Sequence, residues 1–184
     1  MTEFLFMRHG QSQANIDNVI ASPSSPLTEY GIAQARAEGK KLVNASITKI
    51  ICSPFVRAKQ TAEVVAHEIG ISPSSIEIIG SLRERRYGKL VDQPKIHPPE
   101  WYCLKDAPTV EPAEELLKRM ALCLTMIEKE AQQEKLLVVG HAISGFYLEQ
   151  AALGKTSPAL FNKLPRLDNA EVIPITTFPI VKED

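Results

Sequence analysis

The stretch EFLFMRHGQS, residues 3–12, joins an apolar run directly to a cluster of polar groups. Its first five residues, 3–7, are typical of a buried β-strand. Arg8, His9 and Gly10 follow at once, and the two side chains that can carry positive charge are poorly suited to a hydrophobic core. The pattern predicts a strand whose carboxyl end presents Arg8 and His9 outside the core.

Strands and helices alternate along the rest of the chain. Further strands are predicted at 49–53, 76–80, 135–141 and 170–176, and helices at 26–45, 54–70, 113–133 and 144–153. The continuous apolar run at 135–141 is typical of a strand covered on both faces, whereas Pro174 favours a sheet edge for the last strand. This alternation predicts a single α/β domain over residues 1–184, a three-layer α/β/α sandwich with a mostly parallel central sheet.

Composition excludes several classes of function. The 184 residues carry 21 Lys and Arg against 22 Asp and Glu, so the sequence favours neither nucleic acid nor an anionic membrane as a partner. The apolar run near the start is too short for a signal peptide or a membrane span, and a cytoplasmic location is expected. The three cysteines are scattered and not at metal-ligand spacing, so reduced thiols are expected, with no metal and no organic cofactor.

Residues 91–112 differ from their surroundings. This segment contains five prolines and the only tryptophan of the chain, and long excursions of this kind are usually functional or flexible. His97, Trp101 and Tyr102 lie within it. They are consistent with a lid over a substrate and equally with a loop held down by an aromatic anchor, and the sequence leaves both interpretations open.

Polar side chains follow several of the predicted strands. Ligands of such sheets bind beyond the carboxyl ends of the strands, so Arg8 and His9 are expected to meet Arg57, Glu84 and His141 there. Two arginines can hold a phosphate through bidentate hydrogen bonds, and the first turns of neighbouring helices can add backbone N–H groups. Alone, Arg57 could be a solvated helix residue, Glu84 part of a solvated charge run, and His141 a core histidine. The combination indicates phosphate chemistry.

Five segments resemble the histidine phosphatase superfamily, in the branch that includes the phosphoglycerate mutases. They are RHGQSQAN (8–15), PLTEYGIAQA (26–35), SPFVRAKQTA (53–62), LRERRYG (82–88) and VVGHAISG (138–145). The resemblance implies a phosphoglycerate mutase-like fold in which His9 is the nucleophile that becomes a phosphohistidine and Glu84 is the general acid. It also implies that Arg8, Arg57, His141 and Asn15 hold the phosphoryl oxygens, and that Ser12, Tyr87, Lys95 and Ala142 line the substrate pocket.

The implied chemistry sets electrostatic requirements. His9 must attack as a neutral imidazole with its other nitrogen held, so nearby positive charge is expected to lower its pKa. Glu84 must carry a proton to act as an acid, so we expect burial or the substrate's phosphate to raise its pKa. The resulting carboxylate then activates the water that hydrolyses the phosphohistidine.

The sequence favours a phosphatase over a mutase. The run 84–95, with Tyr87 and Lys95, resembles the mutase version, but 98–110 lacks the arginine pair that mutases present to the substrate's carboxylate. A further departure is EPAEE at 111–115, where many phosphatases of the family have Gly-Glu-Ser and where Glu114 is expected to replace the acid. A small phosphate ester is the expected substrate. A mutase, a phosphoprotein phosphatase acting on phosphohistidine or phosphoserine, and a non-catalytic phosphate-binding module remain alternatives, and the oligomeric state stays open.

Overall fold

The computed structural model describes residues 1–95, 108–156 and 167–177. Within these residues the strands are β1 (Thr2–Arg8), β2 (Lys49–Cys52), β3 (Glu77–Ile78), β4 (Leu136–Gly140) and β5 (Val172–Thr177). The helices are α1 (Gln13–Ile16), α2 (Glu29–Leu42), α3 (Val56–Ile69), α4 (Ala113–Ala131) and α5 (Ala142–Ala152). A 3₁₀ turn at Gly80–Leu82 follows β3.

The described strands form one five-stranded sheet in the order β3-β2-β4-β1-β5. The first four strands are mutually parallel, and β5 runs antiparallel to β1 at the sheet edge. Pro174 pairs with Leu5 in this edge strand, where a residue without a backbone N–H is tolerated. The prediction of a mostly parallel sheet with an edge position for Pro174 is confirmed.

Helices cover both faces of the sheet. On one face Phe4, Phe6 and Val138 pack in a buried cluster with residues of α4 and α5. On the other face Met7 and Val139 pack with residues of α2 and α3. Side chains of a strand alternate between the two faces, so β1 and β4 contribute to both clusters, and the predicted three-layer α/β/α sandwich is confirmed.

Most element boundaries differ from the sequence prediction by a few residues, and three of the differences have a visible structural cause. The strand predicted at 76–80 ends at Ile78, because the chain turns into the 3₁₀ segment at Gly80. The helix predicted from residue 54 begins at Val56, after the Phe55 N–H has bonded to the Ser53 hydroxyl. The helix predicted from residue 144 begins at Ala142, because a carboxylate from a distant part of the sequence caps it.

Parts of the predicted excursion lie outside the described residues. Among these are His97, Trp101 and Tyr102, so both interpretations of this aromatic group remain predictions. Cys52 and Cys123 are buried free thiols. In the portion of the chain with described structure, no helix combines the length and apolar character needed to cross a membrane.

The loop after β1 packs closely on α2. Thr28 caps this helix: its hydroxyl accepts the Gly31 N–H, and its own N–H donates to the Gln11 carbonyl. A Cβ placed on Gly31 would lie 2.0 Å from the Gln11 carbonyl oxygen. A side chain at Gly31 would therefore push away the loop that begins with His9 and Gly10.

Gly31→Ala should destabilise the protein by about 1–3 kcal/mol, the usual range for overpacking. This sign is the reverse of the helix-propensity effect, which favours alanine over glycine by about 1 kcal/mol. The free energy of unfolding in urea measures the change. Gly80→Ala is the matched control, since a Cβ at Gly80 meets no atom within 4 Å. A Gly31→Ala variant as stable as the wild type would contradict the close approach.

Candidate active site

The pairing of β1 with β4 brings two histidines side by side. Arg8 is in register with Gly140, and the His9 N–H donates to the Gly140 carbonyl at 3.0 Å. His9 and His141 thus leave the sheet from adjacent strands at the same edge. Their rings make an edge-to-face contact with centroids 5.2 Å apart.

Hydrogen bonds define the tautomer of the His9 ring. Nδ1 lies 2.7 Å from the Gly10 carbonyl oxygen, which can only accept, so Nδ1 carries the proton. Nε2 accepts a hydrogen bond from Nε of Arg57 at 3.1 Å and therefore holds a lone pair. Burial lowers the pKa of His9 well below its usual value, and the positive charges of Arg57 and Arg8 lower it further. His9 is a neutral imidazole, as the sequence predicts.

Arg57 is a buried residue in the first turn of α3. Only 2% of its surface is exposed, which rules out the alternative of a solvated helix residue. Its Nη1 donates to the Ser22 carbonyl at 2.8 Å. Thr61, one turn later, accepts the Gly10 N–H and donates to the Arg57 carbonyl. Burial lowers the pKa of Arg57 to about 10, so the guanidinium stays charged at neutral pH.

His141 is fully buried and bonds to Ser53, a residue that the sequence analysis did not place in the site. Its Nε2 lies 2.7 Å from the Ser53 hydroxyl, which already accepts the Phe55 N–H. The hydroxyl keeps a second lone pair, so it can either donate to Nε2 or accept from it. In the described residues, Nδ1 has no hydrogen-bond partner. Burial lowers the pKa of His141 well below its usual value, with further contributions from Arg57 and His9.

The carboxylate of Glu84 caps the N-terminus of α5. Its oxygens accept the N–H groups of Ile143 at 3.1 Å and Ser144 at 2.8 Å, together with the N–H of Arg85 at 2.9 Å. These three contacts fix the orientation of the carboxyl group. The expectation that the N–H groups of this helix contribute to an anion site needs correction, because two of them bind Glu84.

A cavity of about 100 Å³ lies at this edge of the sheet. This is about three times the share of one water molecule in the liquid. Its wall is formed by Arg8, His9, Asn15, Ile20, Ala21, Arg57, Glu84, Tyr87, Lys95, Ala142 and Ile143. Eight of these eleven residues are among the predicted site residues. Ile20, Ala21 and Ile143 were not predicted, since small apolar residues in loops and helix starts carry no distinctive sequence signal.

Two predicted residues lie outside the cavity wall. Ser12 is fully buried, and both its N–H and its hydroxyl donate to the side-chain oxygen of Asn15 at 2.9 Å. Its predicted place in the pocket lining is therefore corrected: it orients Asn15. His141 packs against the ring of His9 and forms no part of the wall.

The charges around the cavity favour an anion. Among the described residues of the wall, three side chains are cationic, those of Arg8, Arg57 and Lys95, and one is a carboxylate, that of Glu84. A second cavity, of about 360 Å³, lies beside α2, but Lys41 on its wall is already paired with Glu38 at 2.7 Å. Among the described residues, no three His, Cys, Asp or Glu side chains are grouped as metal ligands.

The family model of the histidine phosphatase superfamily, branch 1, matches residues 4–179. The chain belongs to the histidine phosphatase superfamily.

Relatives within this superfamily carry both phosphatase and mutase names. The chain is 30% identical to a probable phosphoglycerate mutase GpmB of Proteus mirabilis, over 94% of this chain and 83% of that protein. It is 29% identical to the uncharacterized phosphatase PhoE of Bacillus subtilis, over 77% of this chain and 72% of that protein. The match to a 2,3-bisphosphoglycerate-dependent phosphoglycerate mutase of Methylobacterium, at 41% identity, covers only 45% of this chain and 41% of that protein.

A solved structure supports the fold of this histidine phosphatase domain. The phosphoserine phosphatase of Entamoeba histolytica aligns with a TM-score of 0.76 over 95% of this chain and 90% of that chain, at 20% identity. Identity at that level supports the fold and leaves the substrate open.

His141→Gln should reduce the loss of stability in acid. As the pH falls below about 6.5, His9 and His141 become protonated in the unfolded chain but stay neutral in the folded protein. Stability is therefore lost as the pH falls toward their lowered pKa values, by up to about 1.4 kcal/mol per pH unit for each histidine. His141→Gln removes the contribution of His141, so only the contribution of His9 to this loss of stability remains. Urea unfolding at about pH 7 and about pH 5.5 measures the two slopes.

The matched control for this experiment is His67→Gln, because His67 is exposed on α3. Its slope should equal that of the wild type. Equal slopes for His141→Gln and the wild type would contradict the neutral, buried state of His141.

Proposed function

We propose that this protein is a metal-independent phosphatase that hydrolyses small phosphomonoesters through a phosphohistidine on His9. The observation that carries the proposal is the lone pair of His9 Nε2 at the wall of a cationic cavity, with the Glu84 carboxyl on the same wall. A nucleophile, a proton donor and groups that bind phosphate therefore converge on one small volume. The membership in the superfamily and the relatives named as phosphatases support the same reaction class.

In the first step, the phosphoryl group enters between Arg8 and Arg57. Its charged oxygens are stronger acceptors than an imidazole nitrogen, so Arg57 transfers its hydrogen bond from His9 Nε2 to the phosphate. The freed lone pair attacks phosphorus, and a P–N bond forms as the P–O bond to the leaving group breaks. The Gly10 carbonyl, bonded to Nδ1–H, stabilises the positive charge that develops on the ring.

Glu84 supplies the proton that the leaving oxygen needs. The negative charge of the bound phosphate opposes the ionised form of Glu84, and so favours its protonation in the complex. After the alcohol departs, the Glu84 carboxylate accepts a proton from water, and the hydroxide equivalent attacks phosphorus. The P–N bond breaks, His9 is restored, and phosphate is released.

We assign His141 a donor role toward a phosphoryl oxygen. In this proposal the Ser53 hydroxyl donates to Nε2, which puts the ring proton on Nδ1. Nδ1 is buried without a hydrogen-bond partner among the described residues. A buried donor of this kind gains a full hydrogen bond when an anion arrives. Asn15, with its oxygen held by Ser12, is proposed to add a further contact.

A mutase is the second candidate, favoured by the position of two side chains. Tyr87 and Lys95 line the cavity, as expected from their resemblance to the mutase motif. The absence of arginine from 98–110 argues against it, since no guanidinium there could hold a substrate's carboxylate. Dependence of the activity on a bisphosphoglycerate would identify a mutase, and preference for phosphoprotein would identify the phosphoprotein phosphatase.

His9→Ala should lower the hydrolysis of p-nitrophenyl phosphate by at least about a thousandfold, because it removes the nucleophile. Glu84→Gln should lower it by about a hundredfold or more, since general acid–base catalysis contributes about 10²–10⁴. The measurement is kcat/KM with EDTA present, and the wild type should keep its activity in EDTA.

His67→Ala is the matched control for His9→Ala, because it removes an exposed histidine far from the cavity. It should retain wild-type kcat/KM. Full activity of His9→Ala would contradict the phosphohistidine on His9. An inactive wild type would contradict the phosphatase proposal and favour the mutase or the phosphate-binding module.

A further inference from the structure

A buried ion pair lies next to the loop that carries Glu84. Nε and Nη2 of Arg119, on α4, donate to the two carboxylate oxygens of Glu111 at 2.8 and 2.7 Å. Glu111 is 3% exposed. Glu114, which the sequence analysis expected to be the important acid of this segment, is exposed on the first turn of α4. The acidic residue of this segment that is buried and hydrogen-bonded is therefore Glu111.

The pair holds the chain on both sides of Glu84. Before Glu84, Nη1 of Arg119 donates to the carbonyls of Ser81 and Arg83. After Glu84, a carboxylate oxygen of Glu111 accepts the Arg86 N–H at 3.1 Å. One bidentate ion pair therefore contacts the loop both before and after Glu84.

The backbone of Glu111 makes further contacts with the loop that carries Glu84. Its N–H donates to the Arg86 carbonyl at 2.8 Å, and its carbonyl accepts from Nε of Arg85 at 2.8 Å. The segment 83–86 is outside every strand and helix of the described residues. Its backbone groups therefore depend on these contacts in place of a ladder.

The pair is ionised at neutral pH. Burial by itself would raise the pKa of Glu111. The hydrogen bonds from Arg119 and the Arg86 N–H, with the charges of Arg119 and Arg83, together outweigh burial and hold the pKa below its usual value. Hydrogen bonds between charged groups are shorter and stronger than those between neutral groups. The loop is thus fixed by contacts that thermal motion rarely breaks.

We propose that Glu111 and Arg119 are positioning residues that place the Glu84 carboxyl for proton transfer to the leaving group. This inference rests on the proposed function of Glu84. Neither residue lines the cavity, so their effect passes through the loop. Because His9 and Arg57 are held by other elements, weakening the pair should impair protonation of the leaving oxygen and spare attack on phosphorus. A small displacement of a catalytic group is enough to lower a rate strongly.

The test compares two substrates that differ in their need for an acid. Phenyl phosphate releases a strongly basic phenoxide, which requires a proton from Glu84. Dinitrophenyl phosphate releases a weakly basic phenolate, which departs without one. The quantity measured is the ratio of kcat/KM for phenyl phosphate to kcat/KM for dinitrophenyl phosphate. This ratio is independent of the fraction of folded enzyme, so a loss of stability alone leaves it unchanged.

The variants are Glu111→Gln and Arg119→Lys, with Glu84→Gln as the reference. Arg119→Lys keeps the positive charge and loses the bidentate geometry, so it is the variant that best preserves folding. The matched control is Lys49→Gln, which breaks two other ion pairs, with Glu77 and Glu130. Lys49 begins strand β2, and Cys52 ends it.

Glu84→Gln should lower the ratio by about a hundredfold, and each variant of the pair by about tenfold. Lys49→Gln should leave the ratio unchanged. An unchanged ratio in both pair variants, beside a lowered ratio in Glu84→Gln, would overturn the positioning role alone. An unchanged ratio in Glu84→Gln would overturn the proposed role of Glu84 itself. Loss of the initial burst of dinitrophenolate in both pair variants, while circular dichroism shows them folded, would also overturn the inference, because the attack on phosphorus needs no acid with that substrate.

Discussion

The candidate site depends on the hydrogen bond from Arg57 to His9 in a buried environment. It requires an unprotonated Nε2, and the Gly10 carbonyl requires a protonated Nδ1, so the two contacts together define one neutral tautomer. Burial and two guanidinium groups act in the same direction on the pKa of His9. The charges that would attract a phosphate are therefore the same charges that keep the nucleophile unprotonated.

The sheet makes this arrangement possible. The parallel pairing of β1 and β4 puts His9 and His141 on neighbouring strands, and β2, on the other side of β4, brings Ser53 to the His141 ring. Glu84 arrives from the segment after β3 and is held by the start of α5. The site therefore contains residues that follow each of the four parallel strands. A shift in the register between β1 and β4 would move His9 away from His141.

The alternation of apolar runs was sufficient to predict the layers and the sheet, because a strand that is buried on both faces, such as β4, has a continuous apolar sequence. The motifs RHGQSQAN, SPFVRA, ERRYG and VVGHA contain seven of the eleven residues of the cavity wall, and Lys95 was predicted as well. Contacts between distant segments were not predictable. The cap of α5 comes from Glu84, so no local signal marks the start of that helix. Glu111 could not be recognised from its neighbours in sequence either, because its partner Arg119 lies eight residues later, on α4. Ser12 belongs to the motif RHGQSQAN and was expected in the pocket lining, but its hydroxyl donates to the side chain of Asn15 instead.

The most direct test of the account identifies the atom that carries the phosphoryl group. Glu84→Gln, mixed with dinitrophenyl phosphate, should accumulate the phosphoenzyme, since the leaving group needs no acid while hydrolysis lacks its base. Quenching in alkali, digestion and ³¹P NMR of the phosphopeptide then locate the group. The account predicts phosphate on Nε2 of His9 and none in His9→Ala. Phosphate on Nδ1, on another residue, or on no residue while product still forms would contradict it.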